Sequence, residues 1–162
     1  MKTLLLLSIL LLTAQFTPAE ENNERLAELD ALWSIVSHTV RKGDFEGYKA
    51  TCHKEGVLVA GTSGSSHPLS QALTRWKPGF ADTKAGKIKA SVQFRFSQRL
   101  NDETTAHETG MFLYATVNAE GETKNEYIHF EALLVKRNGW KVLMEYQKSK
   151  GTRDDWDKLK AK

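Results

Sequence analysis

Residues 127–148 read YIHFEALLVKRNGWKVLMEYQK, and their pattern decides the fold. Asn138-Gly139 is a dipeptide that accepts the positive φ angles of a two-residue hairpin turn, so a long strand is expected on either side of it. With that turn, Lys136 faces Lys141, Leu134 faces Leu143, Ala132 faces Glu145 and Phe130 faces Gln147 on one side of the hairpin. The other side carries Tyr127, His129, Glu131, Leu133 and Val135 opposite Val142, Met144 and Tyr146. Both sides are partly apolar, so neither is expected to be simply solvated.

Upstream of the hairpin the period is also two. Ile88, Ala90, Val92, Phe94 and Phe96 alternate with polar residues, Asn101-Asp102 marks a turn, and a further strand is expected over 104–117 before a turn at Gly121. If these turns pair as two-residue hairpins, one sheet face collects Val92, Phe94, Phe96, His107, Thr109, Met111 and Leu113 together with Phe130, Ala132, Glu145 and Gln147. The opposite face then collects Arg95, Glu108, Phe112, Tyr114, Tyr127, His129, Glu131 and Tyr146. A one-residue bulge would exchange these faces strand by strand.

The first half of the chain is helical in pattern. Leu26, Leu29, Trp33, Val36 and Val40 form one stripe at spacings of three and four, ended by Gly43. Asp44 is placed to cap a shorter helix that turns Phe45, Tyr48 and Cys52 inward. A short buried strand follows at 57–60 and a Gly/Ser-rich loop at 61–66 that lacks the Gly-Lys-Ser/Thr of a phosphate loop. Pro68 suits the start of a third helix with Leu69, Ala72, Leu73 and Trp76 on one side, which Pro78-Gly79 is expected to break, leaving 80–86 as a loop or last turn acting as a lid. Thr152 and Asp155 have the spacing of a capping box for a short final helix. Burial favours placing the helices against the more apolar sheet face.

The start of the chain, a lysine, an apolar run over 4–12 and a polar tail ending at Ala19, has the layout of a secretory signal peptide. Cleavage is expected after Ala19, with Ala14 as the alternative, leaving residues 20–162 as one domain in the secreted or periplasmic space, without a membrane span. That mature chain has 22 basic and 20 acidic residues and no basic stripe, which argues against nucleic acid as a partner. Cys52 is the only cysteine, so no internal disulfide can form, and it reads as a small buried thiol rather than a nucleophile. The five histidines show no metal-binding spacing, and no Gly-x-Ser-x-Gly is present.

The order of elements resembles the NTF2-like superfamily, and within it the SnoaL-like, ketosteroid isomerase-like and DUF4440-type domains. The residues that carry the resemblance are 29–33, Lys42-Gly43-Asp44-Phe45, Tyr48, His53 with Gly56-Val57-Leu58-Val59, Asn138-Gly139-Trp140-Lys141-Val142 and Glu145-Tyr146-Gln147. The resemblance implies an α+β cone, helices packed in a curved antiparallel sheet of four to six strands, with a pocket at its open end and pairing as a homodimer through the outer sheet face. It also implies that Glu145 matches an acidic residue that works in the pocket of the cyclase and epoxide hydrolase branches. The Arg-x-Asp pair of an epoxide hydrolase is replaced here around His107-Glu108-Thr109, which argues against that reaction.

Glu145 is the leading candidate for chemistry, because a carboxyl on an apolar face must find a partner or hold its proton. The alternative is a structural ion pair. His107 is the candidate acid/base partner, and Gln147, Thr109, Trp76, Phe94, Phe130, Met111 and Tyr48 are candidate ligand-binding residues. Trp33 and Trp140 read as core. No metal and no cofactor is implied. The expected function is binding of a small, largely apolar molecule. A cofactor-independent lyase, isomerase or hydrolase with Glu145 as base, and a purely assembling domain, are the alternatives.

Overall fold

The computed structural model describes residues 18–159, so most of the expected signal peptide lies outside the described residues. Four helices and six strands follow one another as α1 (Pro18–Lys42), α2 (Phe45–Ala50), β1 (Cys52–Ala60), β2 (Ser65–Pro68), α3 (Leu69–Lys84), β3 (Lys89–Asn101), β4 (Thr105–Val117), β5 (Thr123–Lys136), β6 (Trp140–Lys150) and α4 (Arg153–Lys158). The strands form one sheet in the order β2-β1-β6-β5-β4-β3. Only the β1/β6 pair is parallel. Among the described residues no helix is long and apolar enough to cross a membrane.

Helices α1 and α3 cover one face of this curved sheet. From α1, Leu29, Leu32, Trp33, Val36 and Val40 are buried against Val92, Phe96, Phe130 and Leu134. From α3, Leu69 and Ala72 are buried with Leu58 of β1. The hairpin end of α1 is tied down by Glu28, whose carboxylate accepts from Lys136 Nζ at 2.6 Å and from Trp140 Nε1 at 2.8 Å. Those bonds hold the Glu28 carboxyl below its usual range.

Several local expectations are corrected. Residues 65–68, expected as the end of the 61–66 loop and the start of the third helix, pair with 57–60 as strand β2, and β1 begins at Cys52 rather than after Gly56. Pro78 does not end α3, which runs on to Lys84. Proline removes the N–H that would bond the carbonyl of Thr74, but Phe80 two residues on is buried between Phe45 and Tyr48, with ring centroids 5.7 and 5.0 Å away. That tertiary packing carries the helix through the proline.

The hairpin is the clearest case of two errors that cancel. Asn138 and Gly139 do take positive φ, 54° and 95°. However, Lys136 pairs with Trp140 and Leu134 with Val142, so the loop is one residue longer than expected. A bulge between Val142 and Met144 then absorbs Leu143 and restores the expected register, placing Ala132 beside Glu145 and Phe130 beside Gln147.

No such cancellation occurs in β4. A bulge at Ser97 shifts the β3/β4 register from Gln98 opposite Thr109 to Phe96 opposite Gly110. On the other side, Val117 pairs with Thr123 across a five-residue loop. Both changes turn β4 over relative to the expectation. Ala106, Glu108, Gly110, Phe112 and Tyr114 face the helices, whereas His107, Thr109, Met111 and Leu113 face outward.

The outer face is partly covered by the chain's own C-terminus. Thr152 and Asp155 form the capping box, and α4 packs Trp156 against Arg95 of β3 and Tyr127 of β5. Arg95 donates from Nη1 to the carbonyls of Trp156 (2.7 Å) and Leu159 (2.9 Å), and its guanidinium stacks 4.5 Å from the Trp156 ring. Met111 is fully buried beneath this cover although it points away from the helices.

Candidate functional site

A cavity of about 460 Å3 lies between the helices and the centre of the sheet. That is within the range, roughly 300–1,000 Å3, of sites for small organic molecules. Its aromatic wall is built by α1 (Trp33), α2 (Tyr48), α3 (Trp76, Phe80) and the sheet (Phe94, Phe112, Phe130). Trp33 packs on Phe94 at 4.4 Å between centroids and edge-on against Phe130 at 5.8 Å, and Tyr48 meets the edge of Trp76 at 6.0 Å.

Glu145 is the acid within this wall. Its neighbours across the sheet are Leu58 on β1 and Ala132 on β5, so neither strand supplies a charge. Its side-chain partner is Gln147, whose Nε2 donates to Oε1 at 2.6 Å. Burial raises the Glu145 carboxyl above its ordinary value of 4.5, and the Gln147 bond opposes that only in part. The group touches solvent only as part of the cavity wall, and the neutral acid, with a proton free to donate into the cavity, is favoured over a wider pH range than for an ordinary carboxyl.

The two phenols and the thiol in the wall are neutral at physiological pH. Burial raises the Tyr48 phenol well above its usual range, with the nearby Glu145 adding to the effect. Tyr114 is raised by burial and then by Glu126. The Cys52 thiol is pushed up to about 12, chiefly by burial and then by Glu145, so it carries no thiolate character and is not a nucleophile.

Of the candidate residues, the fold brings Glu145, Gln147, Trp76, Phe94, Phe130 and Tyr48 together around the cavity. It does not bring His107, Thr109 and Met111 there. Because β4 is turned over, His107 lies on the outer face and bonds Glu131 Oε2 at 3.2 Å, on the opposite side of the sheet from Glu145. The outer network around Arg95, His129 and Glu131 likewise loses Glu108, Phe112 and Tyr114 to the inner side.

Sequence reasoning missed Arg75, Tyr114 and Cys52 as cavity residues. Tyr114 shares a face with Phe112 at a spacing of two, and both reach the cavity only because β4 is turned over. Cys52 and Arg75 depend on where β1 begins and on the docking of α3, for which the local pattern holds no signal. Among the described residues no group of three or more His, Cys, Asp or Glu side chains is placed to hold a metal ion.

The pH dependence has a definite sign. The folded-state value of Glu145 lies above its unfolded value, so the folded chain binds more protons between the two, and stability attributable to this group falls as pH rises through that window. Glu145→Gln is therefore expected to gain stability relative to the parent as the pH is raised from below 4.5 to above neutrality, read from urea midpoints at each pH. A parent-to-variant difference that is flat with pH would mean that Glu145 is solvated in the folded chain.

No protein-family profile matches the sequence, and no curated protein is similar to it. Solved structures are similar in fold. A protein of unknown function from Mycobacterium tuberculosis aligns over 86% of this chain and 79% of its own, with a TM-score of 0.67 at 16% identity. An NTF-2 like protein of unknown function from Shewanella oneidensis aligns over 75% of this chain and 97% of its own, TM-score 0.58, at 14% identity. ActVI-ORFA from Streptomyces coelicolor aligns over 76% and 95%, TM-score 0.60, at 18% identity. With its helices laid into a curved six-stranded sheet and these likenesses spanning most of its length, the chain has the NTF2-like fold.

Proposed function

We propose that this chain is a binding module for a small, largely apolar molecule that carries a hydrogen-bonding group at one position. The observation that supports it is the cavity: about 460 Å3 left open by the core, walled by aromatic rings and interrupted among them by the half-buried carboxyl of Glu145, whose hydrogen-bond partner is the neutral Gln147. A carboxyl kept without an ion-pair partner in such a wall costs folding free energy, as functional groups commonly do. Gln147 orients it, and Tyr48 supplies a second hydroxyl near it. The same reading places the chain outside the cytoplasm, exported by the leader within residues 1–19, and pairs two copies through the part of the outer face that α4 leaves open.

The test uses the rings of the wall as reporters. Titration with N-phenylnaphthylamine, a neutral fluorescent apolar probe, is expected to quench Trp33 and Trp76 and to saturate at one probe per chain. Ala90→Phe, which fills cavity space, should weaken binding by about tenfold or more. Equal binding by that variant would place the probe elsewhere and sink the proposal.

A proton-transfer enzyme is the second reading, favoured by one observation: Glu145 and the Tyr48 phenol line the same cavity, a base and a donor. Recovery of an authentic ligand chemically unchanged after long incubation decides for binding.

A further inference from the structure

We propose that Arg75, at the mouth of the cavity, is an anion-recognition site and that the molecule taken up is an anionic amphiphile, an apolar body with one acidic head. The inference rests on the binding reading above and names the ligand class for that site.

Three ionisable side chains with full charges in principle line the cavity: Arg75, Glu126 and Glu145. Glu145 is enclosed by the aromatic wall, whereas Arg75 and Glu126 are exposed and stand where the cavity opens. The Glu126 charge is already answered by Lys124, whose Nζ lies 2.7 Å from its Oε1. Among the described residues Arg75 has no carboxylate partner. Its Nη2 donates to His67 Nε2, since a guanidinium only donates. The bond orients the guanidinium without cancelling its charge.

The surroundings reinforce the sign. From Arg75 through the turn after α3 the chain carries Lys77, Lys84, Lys87 and Lys89 against one acid, Asp82, and Asp82 is itself held by Lys87 at 3.1 Å. A cationic field over an apolar cleft steers anions to it. The apolar length below Arg75 is provided by Trp76, Phe80, Phe94 and Phe112. A cationic ligand finds no such welcome, since the acid at the mouth is paired and the acid inside is disfavoured as an anion by burial.

Decanoate, decanol and acetate separate the head from the body. Binding of each to the full chain is measured by tryptophan fluorescence and by displacement of N-phenylnaphthylamine, above the pH at which decanoate is ionised. Decanoate is expected to bind about tenfold or more tightly than decanol, the scale of one charge-assisted hydrogen-bonded contact. Arg75→Gln should abolish that preference by weakening decanoate far more than decanol, and added salt should weaken decanoate alone. Equal affinities for decanoate and decanol in the parent overturn the inference and leave the apolar binding reading standing. A preference that survives Arg75→Gln overturns the assignment to Arg75. Acetate competing as well as decanoate shows a free-anion site and overturns the amphiphile. If neither decanoate, decanol nor the naphthylamine binds, the binding reading falls and this inference with it.

Discussion

Replacing Glu108 by alanine is expected to destabilise the protein by about 3 kcal/mol or more, the scale of breaking one partner out of a buried ion pair. Glu108 is fully buried on β4, beneath α1. One of its oxygens accepts from Arg99 Nε and the other from Trp33 Nε1. Arg99 is itself enclosed: it reaches Asp30 on α1 at 2.5 Å, stacks 4.5 Å from the Phe96 ring, and already leaves Nη2 buried without a partner. Loss of Glu108 would leave Arg99 with only the exposed Asp30 and leave the Trp33 N–H unpaired, each an uncompensated desolvation. Urea unfolding checks the magnitude. The double variant Glu108→Leu/Arg99→Leu should recover most of the loss, since an apolar pair of similar shape can replace a buried ion pair at little cost. A single variant within about 0.5 kcal/mol of the parent would mean that water reaches this site.

The second large effect is expected at Gly43, where alanine should cost about 2–5 kcal/mol, the sum of a left-handed backbone penalty and overpacking. Gly43 has φ of 64°, and a Cβ there would stand 2.5 Å from the Phe80 carbonyl oxygen and 2.9 Å from Lys84 Cα. Both neighbours are backbone of α3, so neither can swing aside. Gly64 makes the internal comparison. It has the same φ of 64° but nothing within 4 Å of a Cβ, so Gly64→Ala should cost only about 1 kcal/mol, the backbone part alone. The difference between the two variants isolates the packing of α3 on the end of α1. Because Phe80 and Thr83 line the cavity, Gly43→Ala should also weaken probe binding, whereas Gly64→Ala should not.

These two sites mark the limit of what the sequence discloses. The helical stripes were legible because burial writes a period of three to four, and Leu29, Trp33, Val36 and Val40 are buried as that period requires. The last hairpin was legible because Asn138-Gly139 restricts the turn, although a longer loop and the Leu143 bulge had to cancel for Glu145 and Gln147 to land beside Ala132 and Phe130. The orientation of β4 was not legible. It turns on a bulge at Ser97 and a five-residue loop before β5, and neither has a composition that distinguishes it from a two-residue turn. Glu108 and His107 consequently exchanged faces: the carboxylate expected outside is the buried one, and the imidazole expected inside bonds Glu131 outside. Polarity alone could not warn of this, because a paired charge and an exposed charge look alike in a strand pattern.

The helix laid over the outer face gives residues 151–159 a role in colloidal behaviour. Met111 and the Arg95 guanidinium are covered by Gly151, Trp156 and the carbonyls at the end of α4, all contributed by a short segment at the tail. A protease that trims the chain near Thr152 would open an apolar window on a sheet, a surface prone to stick to its neighbours. Self-association of a trimmed preparation would then report on that window and not on any native pairing. Sedimentation of the chain is therefore informative only beside a mass measurement showing the tail intact.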